Sequence, residues 1–284
     1  MVSKEVFQEN LEIQRLAVQN RLLKDYEQPI YQRLVSGRSD LKLLDLGCND
    51  GGKTVDRFSC EAITQIIGLE YHGELAEKAQ ASYGCDRYAF YQCDVERAGF
   101  AQRLGRLMEQ HDVDGFDLIY ISFVLLHLKD PVALLKTLRG FLAPGGRLIV
   151  VEANDAVSRV SPDPDHLFRD FLRVLEFDPF SGDRLCGGRI PALLSQCGYR
   201  RIVLEHTKVG ACVGELQKKR NLFEVFFSYL PQDIRLLREK EPDNLQYAAC
   251  AAWLERHYNA LRCLVLSDNT EISMGIIILT CAGD

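Results

Sequence analysis

Along much of the chain, apolar residues gather into short runs separated by stretches at helical spacing. Five runs come first: LKLLDL (41–46), QIIGLE (65–70), YAFYQCD (88–94), FDLIYIS (116–122) and GRLIVVE (146–152). Amphipathic stretches lie between them, around 54–60, 73–83, 96–111 and 131–141. Strands alternating with helices predict right-handed crossovers and a parallel, doubly wound α/β sheet. Asp130-Pro131 suits a helix start with proline at its first position, and Pro144-Gly145-Gly146 suits a turn before the fifth strand. Leu11, Arg15, Leu16, Leu22, Leu23, Tyr31 and Leu34 recur at helical spacing and predict one or two helices over 3–36. After Glu152 a polar stretch runs to about 187 with a short helix near 166–176, followed by a helix at 189–197 and a strand at 199–209. Residues 214–262 read as mostly helical, and SMGIIILTC (273–281) as a final strand buried on both faces. The expected organisation is an N-terminal helical segment (1–38), a core (39–213), a helical lid insertion (214–270) and a last core strand (271–284).

Composition narrows the function classes. With 284 residues, 47% apolar and 26% charged, the chain can build one sizeable α/β core. A net charge of -6 repels polyphosphate at long range, so no nucleic-acid partner is expected. The best basic patch, Lys218-Lys219-Arg220, reads as a solvated helix face. Ten scattered cysteines without a C-x-x-C pair suggest free thiols in a reducing cytosol, hence a cytoplasmic protein with no zinc site. The start, MVSKEVFQEN, is polar rather than signal-like, and no apolar run approaches the ~18 residues of a membrane span.

The decisive segment is Asp45-Leu46-Gly47-Cys48-Asn49-Asp50-Gly51-Gly52-Lys53-Thr54, which follows the first strand and opens the first helix. In an open α/β sheet that place is the ligand end. Three readings compete. Gly47-x-x-x-x-Gly52-Lys53-Thr54 fits the P-loop pattern, but carboxylates at Asp45 and Asp50 would repel a triphosphate. Gly47-x-Asn49-x-x-Gly52 lacks the middle glycine that lets a dinucleotide pyrophosphate approach. A sulfonium cofactor suits the loop better. S-adenosylmethionine has no phosphates and carries a positive sulfur and a positive ammonium. Gly47 and Gly51 allow close backbone approach, and Asp45 offers a charge partner for the ammonium. Glu70, with Tyr71 beside it, ends the second strand, where a carboxylate accepts ribose hydroxyls; Asp94 ends the third strand, placed to accept from the adenine amino group.

These residues carry a family resemblance. Leu44-Asp45-Leu46-Gly47-Cys48-Asn49-Asp50-Gly51 resembles the first motif of class I methyltransferases, L-D-x-G-C-G-x-G, with Asn49 where the family usually has glycine. FDLIYISFVLLHLKDP (116–131) is similar to that family's fourth-strand segment, and Leu142-Ala143-Pro144-Gly145-Gly146-Arg147-Leu148 to the turn before its fifth strand. Glu12-x-x-Arg15-Leu16-x-x-Gln19 resembles a leading helix of small-molecule members, which places Arg15 with the cofactor. The resemblance covers about 40–200. It implies seven strands in the order 3-2-1-4-5-7-6 with the last antiparallel, an adenine pocket around Asp94-Val95, and cofactor contacts from Ser122 and Phe123.

The expected activity is methyl transfer from S-adenosylmethionine to an O, N or C atom of a small-molecule acceptor. No N/D-P-P-Y/F tetrapeptide follows Ser122 and no Pro-Cys nucleophile occurs, which argues against DNA and several RNA chemistries. His127 lies five residues past Ser122, at the place where the family motif has histidine, and is the candidate general base. The rings of 214–262 (Phe223, Phe226, Phe227, Tyr229, Tyr247, Trp253 and Tyr258) are at helical spacing, which suits core more than pocket. A homodimer through 214–262 is compatible with the sequence, and so is a cofactor-binding regulator or assembly protein without turnover.

Overall fold

The computed structural model describes residues 10–284, with side chains from Glu12 onward. In chain order the strands are β1 (Leu41–Leu46), β2 (Ile63–Glu70), β3 (Tyr88–Gln92), β4 (Phe116–Ser122), β5 (Leu142–Ala153), β6 (Arg159–Ser161), β7 (Arg200–His206), β8 (Val209–Ala211), β9 (Glu271–Met274) and β10 (Ile276–Ala282). The helices are α1 (Asn10–Val35), α2 (Gly52–Phe58), α3 (Gly73–Tyr83), α4 (Phe100–Gln110), α5 (Pro131–Arg139), α6 (Leu167–Leu175), α7 (Cys186–Gln196), α8 (Leu216–Phe226), α9 (Leu230–Lys240) and α10 (Leu245–Leu266). Residues 3–9 of the expected N-terminal helix lie outside the described residues. By contact the described chain divides into two compact units: Tyr26–Ala153, Leu185–Thr207 and Ile276–Asp284 form one, and the remaining described residues form the other.

The first unit is the expected α/β sheet. Seven strands run in the order β3-β2-β1-β4-β5-β10-β7, and β10 is antiparallel to both neighbours while β1 to β5 pair in parallel. Counted within this sheet, that is 3-2-1-4-5-7-6. Because helices cover a parallel sheet, its central strands are buried on both faces. Leu43, Leu44, Ile119, Ile121, Val150 and Leu279 are all fully buried, and every residue of β10 is buried. The strand order reverses between β1 and β4, which opens a crevice beyond their carboxyl ends.

One expected strand is in fact two. Residues 273–281 were expected to run straight, but Gly275 breaks them: Glu271–Met274 joins β6 and β8 in a three-stranded sheet of the second unit, and only Ile276–Ala282 enters the large sheet. At Gly275 a Cβ would fall 1.9 Å from the carbonyl oxygen of Asn154, and the Gly275 carbonyl accepts from the Asn154 amide at 2.7 Å. Hydrophobicity is continuous across this glycine, so the pattern alone hides the break. The expected strand 199–209 likewise ends at His206, and Val209–Ala211 pairs with β9 instead.

The second unit contains the helices of 214–262. Phe227 is fully buried, stacked on Phe223 at 5.0 Å and on Phe171 of α6 at 4.8 Å. Phe223 and Phe226 are buried as well, so these rings are core. Among the described residues no helix is long and apolar enough to cross a membrane. Phe227→Ala removes the shared partner of two stacked rings and is expected to destabilise by about 3–5 kcal/mol, read as a lower urea midpoint.

Candidate active site

Loops at the carboxyl edge of a parallel sheet leave backbone N–H groups unpaired, and these must find acceptors. Here the loop after β1 is stitched to β2. The amides of Gly47 and Cys48 donate to the Leu69 carbonyl at 2.8 and 3.2 Å, and Gly51 donates to Cys48 at 3.0 Å. The next amide, Asn49, donates to Glu70 Oε2 at 2.9 Å, while Glu70 Oε1 accepts from the His72 amide at 2.9 Å. Gly47, Asn49 and Gly51 all have positive φ, of 74°, 52° and 78°. This explains Asn49: the position requires the left-handed conformation, and asparagine is among the few non-glycine residues that tolerate it. A Cβ on Gly47 would come within 2.4 Å of Val124 Cγ2, so the loop and the segment after β4 are in direct van der Waals contact.

Asp45 sits beneath the loop. Its carboxylate is 2% exposed and accepts a hydrogen bond from Thr54 Oγ1. Burial pushes its pKa up to about 6, against the pull of Thr54 and Lys53. Glu70 is buried too. Cys93, just past β3, ties that strand end to Glu70 through its amide at 2.7 Å. Asp94 and Val95 follow, half-buried, with Asp94 Oδ1 accepting the Glu96 amide at 3.0 Å. Tyr71 is 40% exposed. Ser122 ends β4, and Phe123 takes a positive φ of 53° with its amide on the Val151 carbonyl at 2.9 Å. His127 closes a single helical turn over Leu125–His127 and is half-buried, its amide on the Val124 carbonyl at 3.0 Å.

Backbone or van der Waals contacts therefore link Gly47, Cys48, Asn49, Gly51 and Glu70 directly, and Asp45 and Ser122 flank them. Arg15 belongs to the other unit. Its guanidinium pairs with Glu12 at 2.6 Å, donates to the Val225 carbonyl at 2.7 Å and lies over the Tyr229 ring.

A buried network that the sequence reading missed lies beside Ser122. Lys53 Nζ donates to Ser122 Oγ at 2.8 Å, lies 3.4 Å from Glu27 Oε1 and sits over the Tyr120 ring at 4.9 Å. Glu27 also accepts from Arg57 Nε at 2.7 Å and from the Tyr120 hydroxyl at 3.0 Å. Burial opposes ionisation of Glu27, but Lys53 and Arg57 hold its carboxyl below the usual range. Burial lowers the Lys53 pKa. The available signal was Glu27 itself, an acid on the same helical stripe as the buried Leu23, Ile30 and Tyr31. The lysine of the apparent P-loop pattern thus serves an internal ion pair rather than a phosphate cradle.

Asp45 gives a pH prediction with a definite sign. Its proton is held more tightly in the folded chain, about 6 against an ordinary value near 4. Its contribution to stability is therefore full below about pH 4, is lost as pH rises to about 6, and is constant above. Asp45→Asn is expected to remove that downward slope, read as urea midpoints of parent and variant between pH 4 and 7.

Comparison with known proteins agrees with this geometry. Residues 44–148 match a family model described as a methyltransferase domain. An uncharacterized methyltransferase of Schizosaccharomyces pombe is 32% identical over 157 residues, covering 53% of this chain and 55% of that protein. The trans-aconitate 2-methyltransferase of Methylobacterium radiotolerans is 30% identical over 164 residues, covering 55% of this chain and 53% of that protein. The chain thus spans about half the length of these relatives. Among solved structures, the YcgJ protein of Bacillus subtilis superposes over 90% of this chain and 97% of its own, with a TM-score of 0.53 at 17% identity. The phosphoethanolamine N-methyltransferase 2 of Haemonchus contortus, solved with S-adenosyl-L-methionine, covers 99% of this chain and 60% of its own, with a TM-score of 0.52 at 13% identity. At such identities the structures speak for the fold, and the sequence match speaks for the loop-bearing half of the sheet. Over residues 44–148 the chain is therefore similar in sequence to a methyltransferase domain, on a fold shared with solved methyltransferase structures.

Proposed function

We propose that this protein transfers a methyl group from S-adenosylmethionine to an O, N or C atom of a small-molecule acceptor. The observation that carries the reading is the glycine loop clasped by Glu70. A buried carboxylate at the end of β2 uses one lone pair on each oxygen for a backbone amide and keeps the others for hydroxyl donors. A ribose has two such hydroxyls side by side. The loop offers backbone without side chains at Gly47 and Gly51, and the nearby acids, Asp45 and Glu70, suit a cofactor that is cationic rather than phosphorylated. Asp50 adds no cation site, since it is paired with Lys78 at 3.1 Å.

When bound, the cofactor supplies an activated methyl group. The chain's own part is to bind, to align and to exclude water, and alignment accounts for much of the acceleration of an in-line displacement. Glu70 holds the ribose, Asp94-Val95 and Tyr71 border the adenine, and Cys48, Asn49, Ser122 and Phe123 shape the methionine end. His127 takes a proton from the acceptor where the attacking atom must lose one. Arg15, proposed with the cofactor on the leading-helix resemblance, is itself paired with Glu12 and donates to the Val225 carbonyl. On this reading the helices of 214–262 are the proposed contact to a second copy of the chain. The named acceptors of the relatives, trans-aconitate and phosphoethanolamine, are small molecules, which favours one here.

Calorimetry tests the cofactor. S-adenosylmethionine and S-adenosylhomocysteine are expected to bind with dissociation constants of about 1–100 μM, ATP with magnesium is not, and Glu70→Ala is expected to weaken both cofactor forms by about tenfold or more. Tight ATP binding abolished by Lys53→Ala would overturn the reading. For His127, the Gln variant keeps size and one hydrogen bond. A base role predicts about 10²-fold slower turnover at nearly unchanged cofactor affinity, and full activity removes His127 from the mechanism.

A further inference from the structure

Glu152, next to last in β5, is fully buried. Its Oε1 accepts from two consecutive amides of the segment after β4, Val124 at 2.9 Å and Leu125 at 2.7 Å. Its Oε2 is buried and has no hydrogen-bond partner among the described residues. Val124 is also the residue whose Cγ2 would stand 2.4 Å from a Cβ on Gly47. One carboxyl group therefore fixes the backbone of the residue on which the glycine loop rests. The clamped segment begins beside Phe123, a non-glycine residue with a φ of 53°, a conformation that persists only when its surroundings enforce it.

We propose that Glu152 is a positioning residue for the cofactor loop: its carboxyl clamps Val124 and Leu125, seats Val124 against Gly47, and so sets the shape of the loop that holds the ligand. The ligand part of this inference rests on the S-adenosylmethionine reading above, and the clamp itself does not.

The surroundings decide the charge state. Ile277 of β10 is directly opposite Glu152, and Val150 and Leu148 precede it on the same face of β5; these pack in one buried cluster with Leu125 and Leu126. An ionised carboxylate with a buried oxygen that lacks a hydrogen-bond partner among the described residues is costly, which favours the neutral acid. Burial pushes its pKa up to about 8, against the amides of Leu125, Val124, Leu126 and Ala153. The titratable residues on the elements packed against β5 are His127 in the clamped segment, Cys186 and Arg189 on α7, Cys281 on β10, and Asp117 and Tyr120 on β4. Asp117 is paired with Arg38, Tyr120 donates to Glu27, and Cys281 is opposite Leu148, four residues along β5 from Glu152.

A neutral acid and an amide have the same shape, and this makes the inference testable with Glu152→Gln. Its side-chain oxygen keeps both backbone amides, and its NH2 replaces the hydroxyl. The first measurement is hydrogen exchange in the ligand-free chain, resolved at Val124 and Leu125 and compared at one pH near neutrality. Protection is expected to survive in Glu152→Gln and to fall about tenfold or more in Glu152→Ala. The second is S-adenosylhomocysteine affinity from pH 6 to 9, taken as the ratio of parent to Glu152→Gln, so that titration of the ligand cancels. That ratio is expected to be flat near neutrality and to fall as pH passes about 8, where the parent alone acquires a buried charge without a counter-ion. Unchanged protection in Glu152→Ala overturns the clamp; a ratio that stays flat to pH 9, or lost protection in the Gln variant, overturns the neutral acid. Should Glu152→Ala not fold, the Gln variant and its pH ratio still decide. A parent that binds no S-adenosylhomocysteine at any pH sinks the functional reading instead, while the exchange measurement judges the clamp alone.

Discussion

The site depends on one constraint: backbone amides at the carboxyl edge of the sheet need acceptors, and two buried acids supply them. Glu70 takes the amides of Asn49 and His72, and Glu152 takes those of Val124 and Leu125. Each acid sits at the end of its own strand, and each organises the loop of a neighbouring strand. An unpaired buried N–H costs about 1–3 kcal/mol, so four such amides are a large share of the stability of a domain this size. The two clamps meet where Val124 rests on Gly47.

The two acids differ in what else surrounds them. Glu70 lies at the end of β2, with one backbone amide on each of its oxygens. Glu152 lies deeper, on the face of β5 that carries Leu148 and Val150 and opposite Ile277, and its second oxygen has no hydrogen-bond partner among the described residues. Burial dominates there and raises its proton affinity far more than a strand-end acid ordinarily experiences. Glu27 shows the opposite balance. It is as buried as Glu152, but two cations within hydrogen-bonding or ion-pair distance overcome the desolvation. Burial alone therefore does not set the charge state of an acid in this unit; the count of nearby cations does.

The loop also shows why a short motif is ambiguous. Gly47 to Thr54 satisfies the P-loop pattern letter for letter, yet Lys53 turns into the network of Glu27, Tyr120 and Ser122. The pattern specifies residue types and spacing, whereas the direction of the lysine is set by an acid that lies 26 residues earlier on α1.

The sequence by itself determined the sheet. Short apolar runs at 41–46, 65–70, 116–122 and 146–152, separated by helical stretches, predict a mostly parallel sheet covered on both faces, and the glycines of the first loop predict its ligand end. In the sequence Asn49 reads only as a departure from the usual glycine; its positive φ, which asparagine accepts, came from the structure. Tertiary structure alone decided three things. Gly275 ends one strand and begins another because the Asn154 carbonyl leaves no room for a Cβ, a close approach invisible in a continuous apolar run. Arg15 is tied to Glu12 and Val225, partners that share no local pattern with it beyond the helix turn. Glu152 becomes a clamp only because β4 and β5 are neighbours in parallel register, which brings its carboxyl under amides 27 and 28 residues away in sequence. Local pattern fixes which residues are buried; which polar group meets which amide is fixed by strand order and register.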